Sequence, residues 1–549
     1  LDQSLELIRQ NPDSVLHWAL FIILCSIFTA HAAPGSSYQA SVKRRISLVQ
    51  QSKFKSALAD AHLAFADATA DHHNKHPNVE HPCTALRELD AAGRQGRSFE
   101  YHIVDKEAAA LDGPTQRRVE RQCDAGNLGR AMQALTNPKL KPHTDATLEA
   151  VLPLFAVAGH DNTKRVLSRD ETLDLFNIPI SELSVEQIHE RLACVAPAAP
   201  FGHQNWAPWL TGAGCDPFKS NQNDYQSDPD DEFDNTEASA RTVTKPKFGV
   251  QTWNSTVSHI KGKKGCTPGV IGGSYDLLLQ TGVLRSIHPD LAKAEHTPLH
   301  DVVQLVARGR VPQELWWILS ATKVIAVGGG GGKTRPIGNP WDLRKVGGFY
   351  LTQSMKSVIV DACDSLGQFA LSPGGVDMAL LAHRVGLECS EDMLLLGDIS
   401  SAFQSFNIHS ALKEARRQGL NALLPHLRML YSYPSLAVFP HEQDGFKAWF
   451  NVAGVTQGCA LGMLAWCLST LSALRVVRRL HPSVVCVAYA DDPGFSGPPD
   501  EVLDALTTFT DRMAMNHSRM SPHKFQCLHM ADLGAAERAR LSALGVAED

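Results

Sequence analysis

The sequence predicts an α+β fold in which helices come first and strand hairpins follow. Three observations carry this. Residues 40–200 run in Ala-, Leu-, Glu- and Arg-rich stretches, such as Phe54 to Ala70 and Ser181 to Val195, with apolar residues three and four apart. From residue 323 onward, short apolar runs are separated by glycine-bearing turns and read as paired strands. The composition, 44% hydrophobic and 20% charged, is that of an ordinary globular chain and excludes a wholly disordered or collagen-like one.

Taken in order, the chain begins at Leu1 rather than Met, as expected of a fragment or a conceptual translation. The apolar run Val15 to Phe28 ends near Ala30-His31-Ala32, a pattern like a signal cleavage site. It is short for a membrane span, and Asp2, Glu6 and Asp13 outweigh Arg9 before it, so a buried helix is the expectation. The 12 cysteines lack regular spacing and read as reduced, intracellular thiols rather than a disulfide scaffold. His72, His73, His76, His81 and Cys83 lack the order and the second cysteine pair of a zinc site, so an exposed polar turn is expected there. The acidic, proline-containing stretch 228–237 reads as a linker, closing a mainly helical N-terminal extension, 1–240.

The net charge of -6 hides an asymmetry: residues 241–356 hold 16 Lys and Arg against 6 Asp and Glu. A basic segment of +10 in an acidic protein is an electrostatic footprint for a polyanion. Within it, Lys261-Gly262-Lys263-Lys264-Gly265 suits phosphate backbones and equally suits a solvated turn. Asp301 to Leu319 reads as an amphipathic helix broken at Pro312. Lys323 to Val327 and Lys333 to Ile337 read as strands joined by five glycines. That glycine run is no P-loop: the first required glycine falls on Val327, and Arg335-Pro336 stands where a helix must start.

The chemistry lies further on. Leu394-Leu395-Leu396-Gly397-Asp398 is an apolar strand ending in a carboxylate, and Val484 to Ala488 is another, leading to Tyr489-Ala490-Asp491-Asp492. Adjacent aspartates at a hairpin tip repel each other, and a hard divalent cation relieves the repulsion. If the two strands lie side by side, the acids meet, although they are 93 residues apart. Two Mg²⁺ ions roughly 3.5–4 Å apart could then activate a hydroxyl and stabilise a leaving pyrophosphate. Between them, Gly454-Val455-Thr456-Gln457-Gly458 leads into a helix, Met463 to Arg479, and its glycines allow close backbone approach to a ligand. Leu436 to Phe439 and Phe446 to Phe450 read as a further hairpin.

The order Arg335-Pro336-Ile337, Gly397-Asp398-Ile399-Ser400-Ser401-Ala402-Phe403, Gly454 to Gly458, Tyr489 to Asp492 and Ser521-Pro522-His523-Lys524 resembles the reverse transcriptases of non-LTR retrotransposons and group II introns. The resemblance covers roughly residues 300–530. It implies a right-hand polymerase with an antiparallel palm sheet backed by helices: basic fingers at 241–390, the palm at 391–535 and a missing or truncated thumb at 536–549. It implies Asp398 and Asp491 as ligands of two Mg²⁺ or Mn²⁺ ions, with Asp492 as a supporting carboxylate and Lys524 assisting at the pyrophosphate. Lys333 and Arg335 would hold the incoming triphosphate, Arg through bidentate contacts. Phe403 falls where the family places a steric gate against a ribose 2′-OH, with core packing beside Ala402 and Phe406 as the plain alternative. Gln457, Gly458 and Tyr489 would line the nucleotide site. Thr456, Ala460 and Gly462-Met463 depart from the family's usual loop, which bears on template positioning and not on the metal site.

The implied function is RNA-directed DNA synthesis, extending a primer 3′-OH with dNTPs on an RNA template. The expected partners are therefore an RNA template, a DNA or RNA primer and dNTPs, without stable membrane association. The expected location is intracellular, cytoplasm with nuclear access. Two other readings stand beside this one: an RNA-dependent RNA polymerase, and an inactive nucleic-acid-binding remnant of a retroelement. The aromatic Phe403 and the Tyr-Ala-Asp-Asp sequence favour DNA synthesis over RNA synthesis.

Overall fold

The computed structural model describes residues 2–29, 43–45, 47, 141, 143–155, 165–168, 170–172, 184–195, 245–262, 297–328, 334–387, 392–441, 445–529 and 533–546. The helix expected at Phe54 to Ala70, the histidine cluster at 72–83, the acidic stretch 228–237 and the glycine run with Lys333 lie outside these residues.

Two four-stranded sheets organise the described chain. The first has the order β2–β1–β5–β6, where β1 is Thr322–Gly328, β2 Thr334–Pro340, β5 Ser435–His441 and β6 Gly445–Asn451. The hairpins β1–β2 and β5–β6 are antiparallel, as their sequences predict, and β1 and β5 join them in parallel at Thr322–Ala437 and Lys323–Val438. The second sheet is antiparallel throughout, in the order β10–β3–β8–β7. It is built from β3 (Met393–Leu396), β7 (Val485–Tyr489), β8 (Asp492–Gly497) and β10 (Gln526–His529). A two-stranded ladder of β4 (Ile399–Ser400) and β9 (Arg519–Met520) continues beside it.

Helices pack on these sheets and on one another because their apolar residues recur at helical spacing. Ten of them matter here: α1 (Asp2–Gln10), α2 (Val15–Thr29), α3 (Val250–Gly262), α4 (Pro298–Ala307) and α5 (Asp342–Ser354). The others are α6 (Gly375–Gly386), α7 (Ile408–Arg417), α8 (Gly462–Leu480), α9 (Pro499–Met515) and α10 (Ala535–Ala543). The α4 helix starts on Thr297, whose hydroxyl accepts the His300 N–H, with Pro298 at its first turn. The α7 helix starts on Asn407 in the same manner. Between α7 and α9 runs α8, which buries Leu464, Ala465, Trp466, Cys467, Leu468, Leu471 and Leu474 and is therefore a core helix on most of its circumference. A buried charge enters this core: Glu414 of α7 is 2% exposed and is paired with Arg475 of α8.

The helix α2 is buried, as its flanking charges predict. Trp18 and Phe21 are fully buried, the Phe21 ring lies 6.1 Å from that of Trp341, and the Trp18 indole donates to the Pro12 carbonyl. No helix among the described residues is long and apolar enough to cross a membrane. Segments on either side of residue 240 share cores: Leu5, Trp18 and Phe21 belong to one cluster with Leu299, Trp341 and Tyr350. Leu148, Val151 and Phe155 pack under the first sheet against Val324, Phe439 and Trp449. Backbone bonds from Lys141 to Ala326 and from Leu167 to Ala448 stitch the same regions together. The hairpin β5–β6, although it lies within 391–535, belongs to the sheet of the basic segment.

Candidate active site

The second sheet brings the two aspartate-bearing turns together. Antiparallel pairing of β3 with β8, Leu396 opposite Gly494, sets the end of β3 beside the β7–β8 turn. Backbone bonds continue past the strands: Gly397 N–H donates to Pro493 O at 2.7 Å, and Ile399 N–H donates to Asp491 O at 3.2 Å. Asp398 thus stands between two bonds to the Asp491 turn. On its other side, Ser521 N–H donates to the Asp398 carbonyl at 2.8 Å, and the Ser400 and Ser521 hydroxyls are hydrogen-bonded. This ladder delivers Lys524, at the end of the single turn Pro522–Lys524, to Asp398, where its ammonium pairs with Oδ2.

The electrostatics are those of a site short of positive charge. The Asp491 carboxyl is held above its ordinary value by burial first and then by the charge of Asp398, while Lys524 and Arg335 pull it back. Burial, then Asp491 and Asp398, raise Asp492 in the same direction. Arg335, exposed on β2 in the first sheet, is one of the two cations that lower Asp491. Among the described residues, no group of three or more His, Cys, Asp or Glu side chains forms a ready metal cage. Mg²⁺ does not need one, since it binds through one or two carboxylates and fills its remaining positions with water and substrate phosphate oxygens. Asp398 and Asp491, carboxylates at adjoining strand ends, are donors of the kind that demand asks for.

The remaining predicted residues are placed as follows. Tyr489, 38% exposed, ends β7 next to the turn. Phe403 is half-buried in the short helix Ala402–Ser405, its ring 6.1 Å from Trp466, while Ala402 and Phe406 are buried. Packing and an open face are therefore both features of Phe403. Gln457 and Gly458 lie on a loop docked against β2: the Gln457 carbonyl accepts the Gly338 N–H at 2.5 Å. Gly458 has φ +104°, and a Cβ there would lie 2.1 Å from the Gly338 carbonyl oxygen. Its glycine is required by contact between the two halves of the site as much as by any ligand. Lys333 lies outside the described residues.

Two residues of the turn are absent from the sequence reading, Gln368 and Trp466. The indole of Trp466 donates to the Ala490 carbonyl at 2.9 Å, and the Gln368 carboxamide bonds Ala490 on both sides. The periodicity of α8 marks Trp466 as core, and nothing local marks Gln368.

Known proteins resemble the part of the chain that carries this site. A family model described as "Reverse transcriptase (RNA-dependent DNA polymerase)" matches residues 329–547, which contain both aspartate turns, the Gln457 loop and Lys524. The retrotransposable element SLACS 132 kDa protein of Trypanosoma brucei gambiense is 23% identical over 257 residues, covering 46% of this chain and 20% of that protein. The chain thus spans about a fifth of the length of that curated relative. A telomerase structure from Candida albicans, in complex with a fragment of telomeric RNA, superposes with a TM-score of 0.32 at 9% identity, over 39% of this chain and 42% of that one. Residues 329–547 thus match the reverse transcriptase family model, and the chain is similar to a retrotransposable element protein.

Proposed function

We propose that the protein is an RNA-directed DNA polymerase of a retroelement, acting on a primer 3′-OH, an RNA template and dNTPs. The observation that carries this is the meeting of Asp398 with Asp491 and Asp492 at adjoining strand ends inside the family-matching region. In this reading the sheet β10–β3–β8–β7 is the palm and the sheet β2–β1–β5–β6 belongs to the fingers. Asp398 and Asp491 would hold divalent ions, with Asp492 adding charge from the edge. When bound, such ions supply a nucleophilic primer hydroxyl and charge neutralisation at the phosphates.

The chain's own residues do the rest. Arg335, exposed on β2, would orient the triphosphate through its planar donors, and Lys333 would share in holding it. Lys524 neutralises Asp398 before substrate arrives and can turn its ammonium to the departing pyrophosphate as a proton donor. The open face of Phe403 excludes a ribose 2′-OH, and the loop at Gln457 sets the template base. Base pairing carries the sequence information, so protein contacts to nucleic acid are mainly to its backbone. Meeting both RNA and chromosomal DNA puts the working place in the cytoplasm with nuclear access.

Primer extension on an RNA template with Mg²⁺, comparing wild type with Asp491→Ala, tests this reading. The expected result is dNTP incorporation by the wild type and none by the variant. Preferential rNTP incorporation would overturn it in favour of RNA synthesis. Template binding without extension, in wild type as in variant, would reduce the protein to a nucleic-acid-binding remnant.

A further inference from the structure

Ala490, the residue from which Asp491 departs, has φ +57°. That left-handed conformation costs an L-residue about 1–2 kcal/mol and persists only where surroundings enforce it. The enforcement comes from a side chain 122 residues away in sequence. Gln368 Oε1 accepts the Ala490 N–H at 3.0 Å, and Gln368 Nε2 donates to the Ala490 carbonyl at 3.2 Å. These two groups belong to the peptide planes on either side of the Ala490 Cα. Anchoring both planes on one rigid carboxamide fixes both φ and ψ of the residue between them.

The carboxamide is itself locked. Its second acceptor position takes the Ala370 N–H at 3.3 Å, and its second N–H goes to Thr470 Oγ1 at 3.1 Å. Two acceptor sites and two donors are the whole capacity of a primary amide, and Gln368 is fully buried, so reversing it would set N–H against N–H. Its backbone is aligned with the strand it serves: Phe369 N–H donates to Ala488 O at 2.9 Å, and Ala488 N–H donates to Gly367 O at 2.8 Å. Trp466 supplies a second donor to the Ala490 carbonyl but nothing for its N–H. A hydrophobic side chain of equal volume at 368 would fill the space and leave that N–H orphaned, so the turn would rotate to find a partner.

We propose that Gln368 is a positioning residue for the aspartate turn: by holding both backbone groups of Ala490 it sets the direction in which Asp491 and Asp492 leave β7. The inference deepens the polymerase reading and rests on it.

The test uses the full chain and Mn²⁺ as the probe, read by calorimetric titration without substrate, alongside thermal unfolding and steady-state primer extension. Gln368→Met keeps the length and volume and removes every bond to Ala490. Thr470→Val removes a bond to the same carboxamide and leaves those to Ala490 in place. The expected result is that Gln368→Met weakens Mn²⁺ binding about 10–100-fold, the range found when groups supporting metal ligands are removed. Its kcat should fall while template–primer affinity stays within about twofold, and Thr470→Val should bind Mn²⁺ like wild type. Should Gln368→Met fail to fold, Gln368→Asn, whose shorter amide reaches only one side of Ala490, is expected to lose Mn²⁺ affinity in the same direction. Wild-type Mn²⁺ affinity in a folded Gln368 variant would overturn the proposal, as would equal weakening by Thr470→Val. A wild type whose Mn²⁺ binding is indifferent to Asp491→Asn would instead overturn the polymerase reading, and the inference with it.

Discussion

Replacing Gly458 with alanine tests whether the Gln457 loop is held by the first sheet or merely lines a substrate site. The backbone at Gly458 has φ +104°, where an L-residue is strained by about 1–3 kcal/mol. The added Cβ would sit 2.1 Å from the Gly338 carbonyl oxygen, which belongs to backbone in β2 and cannot rotate away. The contact must open by about 1.3 Å to reach ordinary van der Waals separation. Opening it stretches the bond from Gly338 N–H to the Gln457 carbonyl, at 2.5 Å, worth about 1 kcal/mol net. Together these put the loss at about 2–4 kcal/mol, or a fall in Tm of about 5–15 °C for a cooperative unit of this size. Thermal unfolding by circular dichroism measures it, and primer extension should fall about 100-fold if the loop shifts by 1 Å. A variant that melts within about 2 °C of wild type and changes only the KM for dNTP would refute the argument. It would show a loop that touches substrate but not β2.

Other perturbations probe the carboxylates, the lysine and the N-terminal helix. Asp491→Asn should abolish extension yet raise the Tm of the metal-free protein at neutral pH. The folded-state value of Asp491 lies above the ordinary 3.8, so its ionised form costs stability that is recovered as pH falls through the raised value. The gap between variant and wild type should therefore shrink as pH falls through that raised value toward 3.8, as Tm measured from neutral pH down to that value would show. Lys524→Ala breaks a partly exposed pair with Asp398 and should change stability by no more than about 1 kcal/mol. Its single-turnover extension rate should nonetheless drop by about tenfold or more, and an unchanged rate would remove Lys524 from the chemistry. Phe21→Ala empties a fully buried position against Trp341 and should cost about 3–5 kcal/mol in denaturant unfolding. No loss would mean that α2 does not share the core.

Local pattern made the elements legible. The apolar run Lys323 to Val327, the apolar run before Asp398 and the run before the Asp-Asp turn each place a strand within a residue or two of where it forms. Pairing between distant strands is another matter. Nothing in Thr322 or Ala437 announces that β1 and β5 run side by side in parallel, because each strand end offers the same backbone groups to any neighbour. For the same reason the hairpin at 435–451 reads naturally as part of its own sequence region, although it extends the sheet of the basic segment.

The site divides along the same line. Asp398, Asp491, Asp492 and Lys524 are visible in sequence because a carboxylate or an ammonium at a strand end or turn stands out by residue type. Gln368 and Trp466 are not, because what they recognise is the backbone of Ala490, and any residue's backbone offers the same N–H and C=O. A side chain that reads backbone leaves no complementary residue type at the other end to search for. Lys524 illustrates the middle case. Its identity is legible and its partner is not, since the bond to Asp398 depends on the Ser400–Ser521 ladder having closed first. The order of dependence follows: the second sheet sets Asp398 beside the Asp491 turn, the Gln368 carboxamide bonds both backbone groups of Ala490 within it, and in the proposed reading the carboxylates so placed take a cation. Substitutions that disturb the sheet should act on all three together, whereas those at Gln368 should leave the Lys524–Asp398 pair intact. Comparing the two kinds of variant for the pH dependence of single-turnover extension separates a turn held in place from a sheet merely held together.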